Sequence, residues 1–255
     1  MGHLSVRGVT KIYGAAGTPE AVIALNNVSL EIEDHTFCAI LGHSGCGKTT
    51  LLSMTAGFEQ PTSGDLLMAG RAITRPGWQN TIVFQDYALF PWMTVEENVT
   101  FGPQMKGVPK DEAREAVRSH IELVGLTGFE RKRPHELSGG MRQRVAIARA
   151  LVVQPEILLM DEPFGALDAQ TRSMMQNELI RIWQQEPKTV MLVTHSIDEA
   201  IRLADQVVVM TRRPGRVKAV INVELPRPRD EDDPRYLSLK RKLRELIHDE
   251  HEAAA

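Results

Sequence analysis

Apolar residues alternate with polar ones along Leu4, Val6, Val9 and Ile12, with one slip at Gly8. That period of two predicts an antiparallel-type strand from Leu4 to Lys11. A polar loop runs from Tyr13-Gly14 through Pro19, and Val28, Leu30 and Ile32 share one phase of a second strand over 24–32. The run Thr36 to Leu41 is apolar and predicts a buried strand, and Thr50 to Ala56 predicts a helix that Gly57 ends. After a turn at Pro61-Thr62-Ser63-Gly64, residues 65–68 and 71–73 predict a hairpin around Ala69-Gly70, and Thr81 to Phe84 a further buried strand ending at Gln85.

The pattern changes between Pro91 and Arg133, where helical periodicity appears at Ala113, Ala116, Val117, His120, Ile121 and Val124 behind Pro109 and Asp111. No strand pattern occurs there, so a helical insertion into an α/β core is expected. Residues 137–153 predict a glycine turn followed by a helix. Strands at 156–160, 189–193 and 206–210 then alternate with helices at 170–185 and 198–203. Continuous apolar strands alternating with helices predict a doubly wound parallel sheet. An edge strand is expected over 216–224, broken by Pro226, Pro228 and Pro234, then a charged helix from Tyr236 to His248 and a frayed end at 249–255.

The junction of the third strand and first helix carries candidate chemistry. Gly42-His43-Ser44-Gly45-Cys46-Gly47-Lys48-Thr49 fits G-x-x-x-x-G-K-[ST], in the strand–turn–helix context that pattern requires. Glycines let the backbone wrap a phosphate chain, and a helix N-terminus turns N–H groups toward an anion. Lys48 can reach the β- and γ-phosphates, and the Thr49 hydroxyl can ligate Mg²⁺. Hydrolysis needs a further carboxylate for the metal and a group to position water, and Asp161-Glu162 at the end of an apolar strand can supply both. The same pair also fits a plain strand end at the surface. Likewise Ser138-Gly139-Gly140 fits an ordinary helix cap, His195 a surface or core histidine, and Tyr13 a packing aromatic.

The chain has 255 residues and a formal net charge of -3, which argues against gripping nucleic acid through bulk positive charge. No apolar run approaches the roughly 20 residues that span a bilayer, and no signal-peptide pattern stands at the start. Its two cysteines form neither a metal spacing nor a disulfide framework, which points to a reducing, cytoplasmic compartment. Cys38 falls in an apolar strand. Cys46 falls in the phosphate loop, where a helix terminus could lower its pKa, and alkylation there is expected to inactivate the protein.

Several motifs in order resemble the ATP-binding-cassette (ABC) ATPases. Leu137-Ser138-Gly139-Gly140-Met141 resembles the LSGGQ signature just ahead of Asp161-Glu162, and Gln85 resembles the Q-loop. Phe164 to Asp168 resembles the D-loop, His195 the switch histidine, and Tyr13 the aromatic that stacks on adenine. The resemblance implies a P-loop NTPase core with a mostly parallel sheet, an antiparallel β subdomain and a helical signature subdomain. It implies one cassette domain over 1–248, with an α/β core at 1–90 and 154–225, a helical subdomain at 91–153 and an extension at 226–255. ATP and Mg²⁺ are the implied cofactors, held by Tyr13, the loop from Gly42 through Thr49, Thr50 and Asp168, with Thr49, Gln85 and Asp161 on the metal.

Two copies would pack head to tail, so that ATP on one phosphate loop meets Ser138, Gly139 and Gly140 of the other. Glu162 would orient or deprotonate water, His195 steady the γ-phosphate, and Gln85 contact metal and water. Two departures are mild: Met141 stands for the usual glutamine, and Ser196 follows the histidine where aspartate is common.

Leu137-Ser138-Gly139-Gly140-Met141-Arg142-Gln143-Arg144, Phe90-Pro91-Trp92 and Arg213-Pro214-Gly215-Arg216 together look like the nitrate/sulfonate/taurine-type importer ATPases, and Leu225-Pro226-Arg227-Pro228-Arg229 is similar to theirs too. That likeness implies a bacterial system for uptake of a small anionic, nitrate/sulfonate/taurine-like solute through a permease dimer. Permease subunits would dock a coupling helix on the aromatic/Met cluster at 90–95, a periplasmic solute-binding protein would act indirectly, and the cassette would lie peripherally on the cytoplasmic membrane face. Export-linked and non-transport ABC ATPases are the alternative. DNA-linked cassettes usually carry long coiled coils or zinc motifs, and this chain has neither. A P-loop kinase would need neither Ser138-Gly139-Gly140 nor His195.

Overall fold

The computed structural model describes residues 4–14, 18 and 20–248. In chain order it contains β1 (Leu4–Tyr13), β2 (Val22–Ile32), β3 (Phe37–Leu41), α1 (Lys48–Thr55), β4 (Ser63–Met68), β5 (Arg71–Ala72), β6 (Asn80–Val83), α2 (Val95–Lys106) and α3 (Lys110–Leu123). It continues with α4 (Gly139–Leu151), β7 (Ile157–Asp161), α5 (Ala169–Gln185), β8 (Thr189–Thr194), α6 (Ile197–Leu203), β9 (Gln206–Met210), β10 (Val217–Asn222) and α7 (Pro234–His248). Parts of the loop expected before Pro19, and all of the fraying expected at 249–255, lie outside the described residues.

The chain forms two compact units. The first holds the chain up to Pro76 and again from Thr189 onward, and the second holds Gly77–Lys188. In the first unit, β2, β1, β4 and β5 make an antiparallel sheet in that order. Leu4 pairs with both Ile32 and Met68, which buries Leu4, Val6, Val9, Val28 and Ile32 on one face. Beside it run β9, β3 and β8, all parallel, with β10 antiparallel on the edge of β9. Every residue of β3 and β8 is buried, the continuous apolar run expected of parallel strands covered on both faces.

Two basic side chains close the end of α6. Arg229, with a side chain only 1% exposed, donates to the carbonyls of Ile201 and Ala204 (2.6 Å to the latter). Arg227 pairs with Asp205 at 2.6 Å, and Asp205 in turn accepts from the Phe37 N–H that opens β3. These last-turn carbonyls have no partners within their own helix, so the Pro-Arg-Pro-Arg segment serves as a cap supplied from elsewhere in the chain. α7 docks on α6 through buried Tyr236 and Leu243, with Tyr236 and Lys240 both on Asp198 at 3.2 and 2.6 Å. The charged helix is therefore anchored along one face.

In the second unit β6 and β7 are parallel neighbours, and α2, α3 and α4 form the helical insertion. Its core includes Val99, Val117, Ile121, Leu126, Val145 and Leu151. α2 opens with a capping box in which Thr94 accepts from the Glu97 N–H at 3.2 Å while Glu97 accepts from the Thr94 N–H at 2.7 Å. Buried His120 on α3 stands 3.5 Å from Glu186 and bonds the Ala116 carbonyl at 2.7 Å. Burial opposes the charge on this imidazole, but Glu186 and the carbonyl outweigh it and raise its pKa, while Glu186 is lowered chiefly by His120.

Candidate functional site

The sequence-predicted site residues divide between the units. Tyr13, residues 42–50 and His195 belong to the first, while Gln85, Ser138, Gly139, Gly140, Asp161, Glu162 and Asp168 belong to the second. Each set is described in its own unit.

In the first unit, the pairing of Leu41 with Thr194 in parallel register sets Gly42 and His195 just past adjacent strand ends. Ligands of open α/β sheets gather at that carboxyl edge. The phosphate loop is shaped by two glycines in the left-handed region, Gly45 at φ 77° and Gly47 at φ 95°, the latter immediately before α1. Lys48 is buried, and its ammonium donates to the carbonyls of Gly42 and His43 at 2.8 Å each, so the cation lies along the loop backbone. Ser44, Gly45 and Thr49 are exposed. Cys46 is only 1% exposed, and a Cβ added to Gly42 would stand 2.9 Å from its Sγ. This corrects the expectation of a reactive thiol, because thiolate chemistry needs access as well as a favourable field. Cys38 is buried as expected, and its burial pushes its pKa up.

Three other segments of the first unit grip this loop. Gly215 packs behind it: its N–H donates to Ala24 and its carbonyl accepts from Asn26, both at 2.9 Å. A Cβ there would fall 2.1 Å from the Cys46 carbonyl oxygen. The His43 imidazole meets the Ile247 carbonyl in the last turn of α7 at 3.3 Å. Tyr13, 39% exposed at the end of β1, places its hydroxyl 3.4 Å from that of Thr50 on α1. Exposed His195 precedes Ser196, which caps α6 by accepting from the Glu199 N–H at 3.2 Å. Ser196 therefore does the capping that the usual aspartate could do.

In the second unit, Val83 pairs with Met160, so Gln85 just past β6 and Asp161-Glu162 at the end of β7 lie at adjacent strand ends. Glu162 adopts φ 42°, a left-handed conformation that a residue with a Cβ rarely keeps without a reason. Its carbonyl accepts from Gly165 at 3.0 Å, and a Cβ on Gly165 would stand 3.0 Å from Gln85 Nε2. Gln85 thus lies against the turn that follows Glu162. Beyond Gln85, Arg149 on α4 donates to the carbonyls of Tyr87 at 2.9 Å and Ala88 at 2.7 Å, both residues having positive φ. The helix behind the signature is thereby tied to the loop behind Gln85.

Ser138 caps α4, accepting from the Met141 N–H at 3.3 Å, and is exposed. Gly140 lies so close to α5 that a Cβ would meet Thr171 at 3.2 Å. A cavity of about 320 Å³ opens at this point, lined by Ser138, Gly140, Met141, Arg144, Phe129 and Met174 among others. Asp168 caps α5, bonded by the Thr171 N–H at 2.9 Å and its hydroxyl at 2.8 Å, and these bonds hold its carboxyl below the usual range. At the surface Phe90 stands between Trp92 and Phe101, with centroids 5.7 and 4.7 Å away, and Trp92 is 67% exposed. No helix of the described residues is long and apolar enough to cross a membrane.

The family model described as ABC transporter matches residues 25–165. Over 247 residues the chain is 51% identical to the ABC transporter ATP-binding protein MJ0412 of Methanocaldococcus jannaschii, covering 97% of this chain and 92% of that protein. It is 47% identical, over 93% of this chain and 87% of the other, to the bicarbonate transport ATP-binding protein CmpD of Synechococcus elongatus. A dimeric post-hydrolysis structure of the ATP-binding cassette MJ0796, bound to ADP and Pi, superposes with a TM-score of 0.73 at 31% identity. That match covers 87% of this chain and 99% of the other. With the phosphate loop, the capped Ser-Gly-Gly turn and the carboxylate pair at a strand end, the likeness to proteins of this kind runs through nearly the whole length. The chain belongs to the ABC transporter ATP-binding family, and it hydrolyses ATP.

Proposed function

We propose that this chain is the ATP-hydrolysing subunit of an importer for a small anion, working as a head-to-tail pair on the cytoplasmic face of the membrane. The observation that carries the reading is its near full-length likeness to a protein whose name states bicarbonate transport. The exposed Phe90/Trp92 cluster adds support, since a partly buried aromatic pair with an open face suits a partner helix.

In this reading the backbone N–H groups of residues 42–49 and the Lys48 ammonium bind the phosphates, and Tyr13 stacks on the base. Thr49, Gln85 and Asp161 offer a hydroxyl, an amide carbonyl and a carboxylate, the hard oxygen donors that suit Mg²⁺. Among the described residues no group of three or more His, Cys, Asp or Glu could hold a metal. Three such donors leave the remaining positions of an octahedral ion to waters and phosphate oxygens. When bound, Mg²⁺ neutralises charge on the β- and γ-phosphates. Glu162 accepts a proton from, or orients, the attacking water, and His195 donates to the γ-phosphate. Ser138, Gly139 and Gly140 of the second copy present a hydroxyl and free helix N–H groups to the same phosphate, while Asp168 keeps the turn after Glu162 in register with α5. ATP shared between two copies closes the pair and hydrolysis reopens it.

Glu162→Gln tests the assignment. The variant should bind ATP, run as a dimer in size-exclusion chromatography with light scattering, and turn over at least a hundredfold more slowly. Hydrolysis at the wild-type rate would refute it. Import is tested by uptake of labelled bicarbonate, nitrate and sulfonate in cells lacking this subunit. Restoration by the wild type and not by Glu162→Gln is expected, and no uptake defect for any small anion would overturn the importer reading.

A further inference from the structure

We propose that Glu59 and Lys11 are positioning residues that lock the Tyr13 ring as the platform for the adenine of ATP. This rests on the reading of Tyr13 given above. Tyr13 ends β1 with 39% of its surface exposed, and its hydroxyl is held from two sides. It donates to Glu59 Oε2 at 2.7 Å, and the Thr50 hydroxyl lies 3.4 Å away. Glu59 is itself held, because Lys11 Nζ stands 3.1 Å from the same oxygen and donates to the Gln60 carbonyl at 2.9 Å. Lys11 also lies 5.1 Å from the centre of the Tyr13 ring, near enough for attraction to its face. The phenol keeps its proton, since burial and the Glu59 carboxylate raise its pKa.

The connection to the phosphates is direct. α1 begins with Lys48, Thr49 and Thr50, and Glu59 follows its C-terminal end just beyond Gly57. The Glu59 segment is pinned to β1 by two further bonds, from the Thr62 N–H to Thr10 at 2.8 Å and from the Ile12 N–H to the Thr62 hydroxyl at 3.0 Å. One short helix therefore carries phosphate-binding groups at its start and, past its end, the carboxylate that orients the base platform. The carboxylate sits beside an ammonium, so its negative charge is balanced before a triphosphate arrives. An exposed tyrosine free to change rotamer would spend part of its time away from the base. The Glu59 bond removes that freedom, and preorganisation of this kind strengthens binding.

The test measures steady-state ATP hydrolysis together with competitive inhibition by inorganic tripolyphosphate, which has no base. Removing the ring with Tyr13→Ala should raise the KM for ATP tenfold or more, from the worth of base–aromatic stacking. Glu59→Ala should raise it about threefold to tenfold, with the loss in KM rather than kcat and tripolyphosphate inhibition unmoved. Glu59→Gln, whose amide oxygen can still accept the hydrogen bond from the phenol, should recover most of that loss. Tyr13→Phe should match Glu59→Ala, and the double variant should be no worse than either, the mark of two residues acting through one bond.

Wild-type KM in Glu59→Ala, or equal weakening of ATP and tripolyphosphate, overturns the proposal. Should Glu59→Ala fail to fold, Tyr13→Phe decides alone, and a wild-type KM there also overturns it. A wild-type KM in Tyr13→Ala instead refutes the platform reading on which the proposal rests.

Discussion

Replacing Gly215 by alanine probes how the phosphate loop is held from behind. The new Cβ would stand 2.1 Å from the Cys46 carbonyl oxygen, 3.0 Å from Leu25 Cδ2 and 3.2 Å from the Ala24 carbonyl oxygen. The first distance is about 1 Å or more inside any tolerable contact. Leu25 can turn aside, since its contact is the end of a side chain, but the carbonyl of Cys46 belongs to the loop backbone. Gly215 cannot simply retreat either, because both its N–H and its carbonyl are bonded to β2. Either the two bonds to Ala24 and Asn26 lengthen, at about 0.5–1.5 kcal/mol each, or the loop moves. Overpacking of this kind costs about 1–3 kcal/mol, so by either route a loss of about 1–3 kcal/mol is expected relative to the strain-free glycine.

Displacing Cys46 also shifts Gly47 and the first N–H groups of α1, so the KM for ATP should rise about tenfold, equivalent to about 1.4 kcal/mol of binding. The assay is urea denaturation with a parallel KM measurement. Gly70→Ala is the control: its φ of 77° carries a conformational cost of about 1 kcal/mol, but nothing lies within 4 Å of the added carbon. It should lose stability modestly and keep its KM. If Gly215→Ala loses no more stability than the control and keeps the wild-type KM, the brace does not shape the loop.

Other outcomes follow from the same contacts. The raised pKa of His120 means that its stabilising charge is complete below the ordinary value of 6.5 and is lost as pH climbs through the higher folded value. Glu186, lowered, contributes above 4.5 and loses that contribution as pH falls through its folded value. The stability gap between wild type and His120→Gln, measured by urea titration, should therefore be widest between pH 4.5 and 6.5 and narrower at pH 9; a gap independent of pH would exclude the pair. Arg229→Met, which strips the α6 carbonyls of their donors, should cost about 2–4 kcal/mol, although burial and the neighbouring Arg227 bring the arginine's pKa down to about 10. Unchanged thermal stability would refute the cap. Arg149→Met should cost about 2 kcal/mol from the loss of two charged donors on the loop beyond Gln85, read by the same melts.

The buried strands were legible because a parallel strand covered on both faces is apolar along most of its length: β3 is so throughout, and β7, β8 and β9 carry polar residues only at their ends. The phosphate loop was legible because its chemistry is local, with glycines, lysine and threonine all within one turn. α2 was harder. Gly102 and Pro103 interrupt its apolar pattern, and the usable signal was Thr94 with Glu97 three residues on, the capping box that the structure contains. β1 outran its expected end at Lys11, since Tyr13 continues the ladder by pairing with Val22 through irregular register that alternation does not reveal. Cys46 misled because the helix-terminus argument says nothing about access. Pairings that join distant residues, such as Tyr13 with Glu59, Arg229 with Ile201 and His43 with Ile247, leave no local spacing to detect.

Those distant pairings give the C-terminal segment its place in the chemistry. Cassette motifs end at His195, and the stretch beyond it could be taken for an appendage. Yet Gly215 abuts Cys46, Arg227 and Arg229 close the helix that Ser196 opens after His195, and the last turn of α7 meets His43. Each contact lies within one compact unit; those of Gly215 and α7 end on residues of the phosphate loop, and those of Arg227 and Arg229 end on the far turn of the helix that follows His195. A glycine-rich loop gains little rigidity from its own residues, because glycine has the most backbone freedom to lose. Its shape must come from what packs around it, and here that packing is supplied by β1 and β2 from one end of the chain and residues 211–248 from the other. Such loops bind tightly when the anion site exists before the anion arrives. Gly215 and the last turn of α7 are therefore part of the frame that shapes this loop.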